Sequence, residues 1–130
     1  MTRARQILIV EDNPANQLLA TAVLERGGFA VDIDESAAAA FDSISISRPD
    51  LILMDIQLGG ENGLDLTLQL KNKPATASIP VVALTARAMA GDRQQAIAAG
   101  CSGYIPKPID TRTFVDQIKA FFAPASQASQ

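Results

Sequence analysis

The sequence has no histidine, no tryptophan, one cysteine and one tyrosine. Without histidine the chain has no Ser-His-Asp triad, no imidazole metal site and no phosphohistidine of its own. A single cysteine, Cys101, excludes an intramolecular disulfide and suits a reducing cytoplasm. No apolar run reaches the length of a membrane span, and the opening MTRARQ is not followed by a signal-peptide core, so no membrane association is expected. Basic residues are outnumbered, 11 against 14, giving a net charge of −3 and no basic patch for a nucleic acid. What is present is 130 residues, 48% apolar and 19% charged, which suits one globular domain.

Short apolar runs alternate with longer amphipathic ones. QILIV (6–10), FAVDI (29–33), DLILM (50–54), IPVVALT (79–85) and SGYIP (102–106) read as strands. The segments between them read as helices. The first has Asn13 as N-cap, Pro14 at its first position and glycine after its end. The second is capped by Ser36, the third stops before Pro74, and the fourth ends at Gly100. The fifth is capped by Asp110 or Thr111 and stops before Pro124. Five strand–helix units with uniformly apolar strands predict an α/β domain with a parallel sheet covered on both faces. The domain is expected over residues 1–123, followed by a small polar tail, 124–130.

In a parallel sheet all strands end at one edge, and ligands bind there, where the strand order reverses. Glu11 and Asp12 follow the first strand, Asp55 the third, Thr85 the fourth and Lys107 the fifth. The apolar run Leu51–Met54 would hold Asp55 rigidly at that edge, and Gly59, Gly60 and Gly63 leave space beside it. Three carboxylates brought together repel one another, so the cluster either raises a pKa or holds a cation. Mg2+ fits, because it takes oxygen ligands, keeps several waters and is often bound by one or two carboxylates plus a phosphate. A cation there would let an anionic phosphoryl group approach Asp55. Lys107 and the Thr85 hydroxyl could then hold its oxygens.

With these residues in place the chain resembles the receiver domains of two-component response regulators. VEDNPAN, LILMDIQL, IPVVALTARAM and GYIPKPI are closest in style to single-domain DivK-type regulators and hybrid histidine kinase receivers. The match runs over about residues 5–122. Its motif is an acid pair, an Asp, a Thr and a Lys-Pro, each after its own strand.

The resemblance implies a CheY-like, flavodoxin-like three-layer sandwich with strand order 2-1-3-4-5. It implies that Asp55 is the phosphoacceptor and that Thr85 and Lys107 assist. Asp12, Asp55 and the Gln57 backbone carbonyl would bind Mg2+, with Glu11 acting through a metal-bound water. Thr85 and Tyr104, the latter on the fifth strand, would be switch residues, and the bond before Pro108 would be cis. Gln57 and Arg87 would tune the lifetime of the acyl phosphate. The donor would be a histidine kinase or a histidine phosphotransfer protein. The target would bind the face of the fourth helix, fifth strand and fifth helix, around Ala88, Gln94, Gln95 and Tyr104. The family usually has proline where this chain has Gly59, so a looser loop is expected after the third strand.

The first helix carries polar residues four apart, Gln17, Thr21 and Glu25, which marks a solvent line. Asn16, Leu19 and Val23 would then face the sheet, with Leu18 near the solvent line; the resemblance implies that this helix docks the histidine-bearing partner, which makes Leu18 a candidate contact. Cys101 reads as a small apolar filler.

Other functions fit less well. A haloacid-dehalogenase-type phosphohydrolase needs a second Asp two residues after the first, where this chain has Gln57, which cannot act as a general acid. A flavodoxin-like nucleotide binder would cradle phosphate in its first loop, but EDNPAN is acidic. A pseudo-receiver that binds partners without phosphorylation is opposed by the complete set of five residues. The chain is expected to be a cytoplasmic signalling protein and not an enzyme in the ordinary sense.

Overall fold

The computed structural model describes residues 4–58, 60–86 and 90–122. Five strands form one parallel sheet: β1 (Gln6–Val10), β2 (Ala30–Asp34), β3 (Leu51–Asp55), β4 (Val81–Thr85) and β5 (Gly103–Pro106), in the order β2-β1-β3-β4-β5. The helices between and after them are α1 (Pro14–Arg26), α2 (Ala37–Ile46), α3 (Gly63–Lys71), α4 (Ala90–Ala98) and α5 (Phe114–Ala120).

The sheet splits its apolar residues between two layers by their period of two. Ile7, Ile9, Leu51, Leu53, Val82, Leu84 and Ile105 meet Ala20 and Leu24 of α1 and Phe114 and Ile118 of α5. Leu8, Val10, Ile52, Met54, Val81 and Ala83 meet Ala40 and Ile44 of α2, Leu66 and Leu70 of α3 and Ala96 of α4. The three central strands are dry on both faces, so their sequences read as unbroken apolar runs. β2, at the edge, exposes Asp32 and Ile33. Cys101 is a buried free thiol in the second of these layers, and burial pushes its pKa up.

The caps follow the sequence in α1 and α2. Asn13 Oδ1 accepts from the Asn16 N–H at 3.1 Å, and Ser36 Oγ from the Ala39 N–H at 3.2 Å. Gly28 takes the positive φ of 95° that the chain needs to leave α1 for β2.

α5 differs from expectation. Residues 111–113 form a turn, the helix begins at Phe114, and Thr113 at its N-cap makes no side-chain capping bond. Asp110 Oδ1 instead accepts from the Arg112 N–H at 3.0 Å and caps the turn. A helix of seven residues is marginal alone. Here it is pinned by the fully buried Phe114 and Ile118.

The face of α1 also differs. Its buried residues are Ala20 and Leu24, while Leu19 is 39% exposed and does not face the sheet. Gln17 and Thr21 are half-buried, so they do not mark a solvent line. Polarity alone misreads the rotation, because the Gln17 amide is used inward: Nε2 donates to the Glu11 carbonyl at 2.6 Å.

The segment after β3 holds a short pairing of its own. Gln57–Leu58 and Glu61–Asn62 pair as a small antiparallel ladder, and Leu58 is buried. Gly59 lies outside the described residues.

Candidate functional site

β1 and β3 lie side by side, but the chain leaves β1 for the α1 layer and β3 for the α3 layer. Their carboxyl ends therefore open a crevice between diverging loops, the usual place for a ligand in such a sheet. Glu11 enters the crevice directly after β1 and is 1% exposed. Its N–H donates to the Asp34 carbonyl at 3.0 Å, and its Oε2 accepts from the Asn13 N–H at 3.2 Å. Asp55 is the last residue of β3 itself and is 4% exposed. Its Oδ1 accepts from the Gln57 N–H at 3.0 Å. Asp12 stands more open to solvent, and one oxygen of each of the three acids lies within 4.8 Å of the others.

Lys107 completes the group. Its Nζ lies 2.7 Å from Glu11 Oε1 and 3.2 Å from Asp55 Oδ2. Its backbone is locked to β4, because the Lys107 N–H donates to the Thr85 carbonyl at 2.7 Å. The Lys107–Pro108 peptide is cis. Thr85 ends β4, buried, in register with Pro106. Tyr104 is half-buried on β5 opposite Ala83 and packs against the α2–α3–α4 layer. The Gln57 side chain is exposed. Arg87 and Ala88 lie outside the described residues.

One ammonium faces three carboxylates, and the two buried acids divide the strain. Burial pushes the Asp55 carboxyl up, and the adjoining Glu11 carboxyl adds to this, taking it to about 6. Burial pushes Glu11 up too, but the Lys107 ammonium, the Asp55 contact and the Asn13 N–H outweigh it and leave Glu11 below its ordinary value.

The sign of the linkage follows. Between the ordinary carboxylate range and about 6, the folded protein holds a proton on Asp55 that the unfolded chain has released. Without divalent cation, stability should therefore fall as pH rises through that window. Added Mg2+ should offset the loss above it, because only the deprotonated acid binds a cation. Melting curves in chelator and in Mg2+, taken between about pH 4.5 and 8, check this. A chelated protein whose stability is flat or rising across the window would contradict the assignment.

The donor set fits Mg2+. It is all oxygen, carries an excess of negative charge and sits at a crevice mouth where waters can complete a shell. Asp12 and Asp55 would hold the ion, with the Gln57 carbonyl adjacent on a backbone already fixed by its N–H bond to Asp55.

Residues 7–119 match the model of the response regulator receiver domain family. The chain belongs to this family. Over 121 residues the receiver is 40% identical to the polar-differentiation response regulator DivK of Brucella anthropi, covering 93% of this chain and 98% of that one. A signal receiver domain of a signal transduction histidine kinase from Syntrophus aciditrophicus superposes with a TM-score of 0.81 at 30% identity, over 90% of this chain and 89% of that one. The receiver domain of a sensor histidine kinase from Pseudomonas aeruginosa PAO1, solved with a magnesium ion coordinated in its active-site cleft, gives 0.81 at 32% identity, over 91% and 97%. The sequence-based family and fold expectations agree with these findings.

Two residues of the receiver's site play roles that the sequence reading does not give them: Gln17 reads as solvated, and Gly63 as leaving open space beside Asp55. Gln17, through its bond to the Glu11 carbonyl, steadies the loop that carries both acids after β1. Gly63, the first residue of α3, packs against the back of Asp55: a Cβ there would lie 2.2 Å from the Asp55 carbonyl oxygen and 2.9 Å from Met54 Cγ. Its N–H donates to the Ile56 carbonyl at 2.8 Å. A glycine at a helix start was the available signal, since propensity gives no reason for one there.

Proposed function

We propose that the receiver accepts a phosphoryl group on Asp55 from a phosphohistidine of a histidine kinase or histidine phosphotransfer protein. The observation that carries this is the buried Asp55 carboxylate at a strand end, 3.2 Å from Lys107 Nζ and grouped with Glu11 and Asp12. An Asp55 oxygen attacks phosphorus as the phosphorus–nitrogen bond breaks, and the imidazole leaves. Lys107 then turns from the acids to a phosphoryl oxygen, and the Thr85 hydroxyl donates to another. Asp12, Asp55 and the Gln57 carbonyl hold Mg2+, with Glu11 acting through a water. The magnesium in the Pseudomonas aeruginosa receiver domain supports this. When bound, the ion offsets the charge of the acids and of the incoming phosphoryl group.

We further propose that Leu18, 73% exposed on α1, contacts the donor. Output runs from Thr85 and Tyr104 to the α4–β5–α5 face, where Gln94 and Gln95 are exposed. Gln57 and Arg87 offer no general base, so self-dephosphorylation is slow. The setting is cytoplasmic.

Beryllofluoride, a phosphoryl mimic, tests the reading. In Mg2+ it should bind and shift NMR signals of Thr85, Tyr104, Gln94 and Gln95 along with those of the acid loops. Binding with Tyr104 and α4 silent would contradict the proposed output face. No binding at all would favour a partner-binding module that works without phosphorylation.

A further inference from the structure

The returning strand of the small ladder after β3 holds two helix N-termini at once. Asn62 Oδ1 accepts from the Leu64 N–H at 2.8 Å and caps α3. Glu61 Oε1 accepts from the Ala37 N–H at 3.0 Å, across 24 residues, at the first turn of α2. The Ser36 hydroxyl already takes the Ala39 N–H, so the two side chains share the free donors of that turn. Glu61 is paired in register with Leu58, and Asn62 with Gln57, whose N–H holds Asp55 Oδ1. The outgoing strand is anchored by buried Leu58. At Gly60, just before the returning strand, a Cβ would meet nothing within 4 Å. Glycine there leaves backbone freedom to be restrained.

We propose that Glu61 is a positioning residue: its hydrogen bond to the N-terminus of α2 fixes the ladder, and through Gln57 fixes the acceptor carboxylate and the carbonyl beside it for Mg2+. The tie is a hydrogen bond that needs the full length of the glutamate side chain. A carboxylate at a helix N-terminus is also favoured by the helix dipole. It makes the acid site responsive to the position of α2, an element outside the proposed output face. The Mg2+ part of this inference rests on the proposed phosphoacceptor site. The restraint on the Gln57 amide does not.

The test uses the full chain and three variants, with two readouts. The first is the Gln57 and Ala37 amide shifts and hydrogen exchange in the metal-free protein. The second is Mg2+ affinity by NMR titration. Glu61→Ala should speed exchange at Ala37, shift the Gln57 amide and weaken Mg2+ about tenfold, the scale for groups that orient metal ligands. Glu61→Gln, which keeps the length and an acceptor oxygen, should recover most of both. Glu61→Asp, which keeps the charge but is one methylene short, should behave like Glu61→Ala. An unmoved Gln57 amide in Glu61→Ala overturns the proposal, as does Glu61→Asp matching the parent while Glu61→Gln fails, since that marks a field effect of the charge. A parent that binds neither Mg2+ nor a phosphoryl mimic defeats the phosphoacceptor reading instead, and the metal-free amide readout still decides the role of Glu61.

Discussion

Replacing Asp55 with asparagine is expected to abolish phosphoryl uptake and, at the same time, to make the metal-free receiver more stable. The two effects have one cause. Asp55 is almost wholly buried beside Glu11, and burial together with that neighbour raises its carboxyl to about 6. At neutral pH the folded chain therefore carries an ionised acid under strain. The shift corresponds to on the order of 1–3 kcal/mol. Asparagine keeps the shape and one acceptor oxygen for the Gln57 N–H. It removes the charge, and Lys107 is left paired with Glu11 at 2.7 Å. The melting temperature in chelator should rise by several degrees, at roughly 4 °C per kcal/mol for a domain of this size. Label from acetyl phosphate or a phospho-donor should fall to background. If Asp55→Asn is labelled like the parent, the acceptor is another residue. If it is labelled at background but less stable, the acid cluster is not strained in the way described.

Gly63→Ala should be nearly as damaging to uptake, although it touches no charged group. Helix propensity alone favours alanine over glycine by about 1 kcal/mol. The contact decides otherwise, because the new Cβ would lie 2.2 Å from the Asp55 carbonyl oxygen, which is backbone and cannot swing aside. Either α3 or the end of β3 must shift. Overpacking of this kind costs about 1–3 kcal/mol. A displacement near 1 Å at a reacting group costs on the order of 100-fold in rate. Stability should drop, and the rate of labelling should fall far more than the loss of folded protein explains. Gly60→Ala is the control: nothing lies within 4 Å of its Cβ position, so it should leave uptake close to the parent level. Equal behaviour of the two variants would sink the argument from close approach.

The fold and the acid site were legible for the same reason. A parallel sheet buried on both faces forces β1, β3 and β4 to be apolar throughout, which makes them easy to see. The parallel arrangement also collects the carboxyl ends of all five strands on one edge, so that Glu11, Asp12, Asp55 and Lys107 could be grouped from sequence order alone. What stayed hidden depends on how a side chain is used rather than on what it is. Gln17 is polar and looks solvated, yet its amide serves the Glu11 carbonyl. Spacing of polar residues could not reveal that, and it turned the expected face of α1. The start of α5 was misplaced because Asp110 and Thr111 have the chemistry of caps, while the backbone bonds of Thr113 and Phe114 to the Asp110 carbonyl close a turn first. The ladder at 57–62 has a signal in the sequence. A Gly-Gly pair between two short runs is a hairpin pattern, not only a loosening of the loop.

Borohydride trapping of the phosphorylated receiver tests most directly that Asp55 takes the phosphoryl group. Hydride reduces an acyl phosphate to the alcohol, so an aspartyl phosphate becomes homoserine and leaves a mark that peptide mass spectrometry can place. After incubation with Mg2+ and a phosphohistidine donor, a single homoserine is expected, at position 55, and none when Mg2+ is chelated. The corresponding alcohol at Glu11 or Asp12, or label that yields no reduced residue at all, would contradict it.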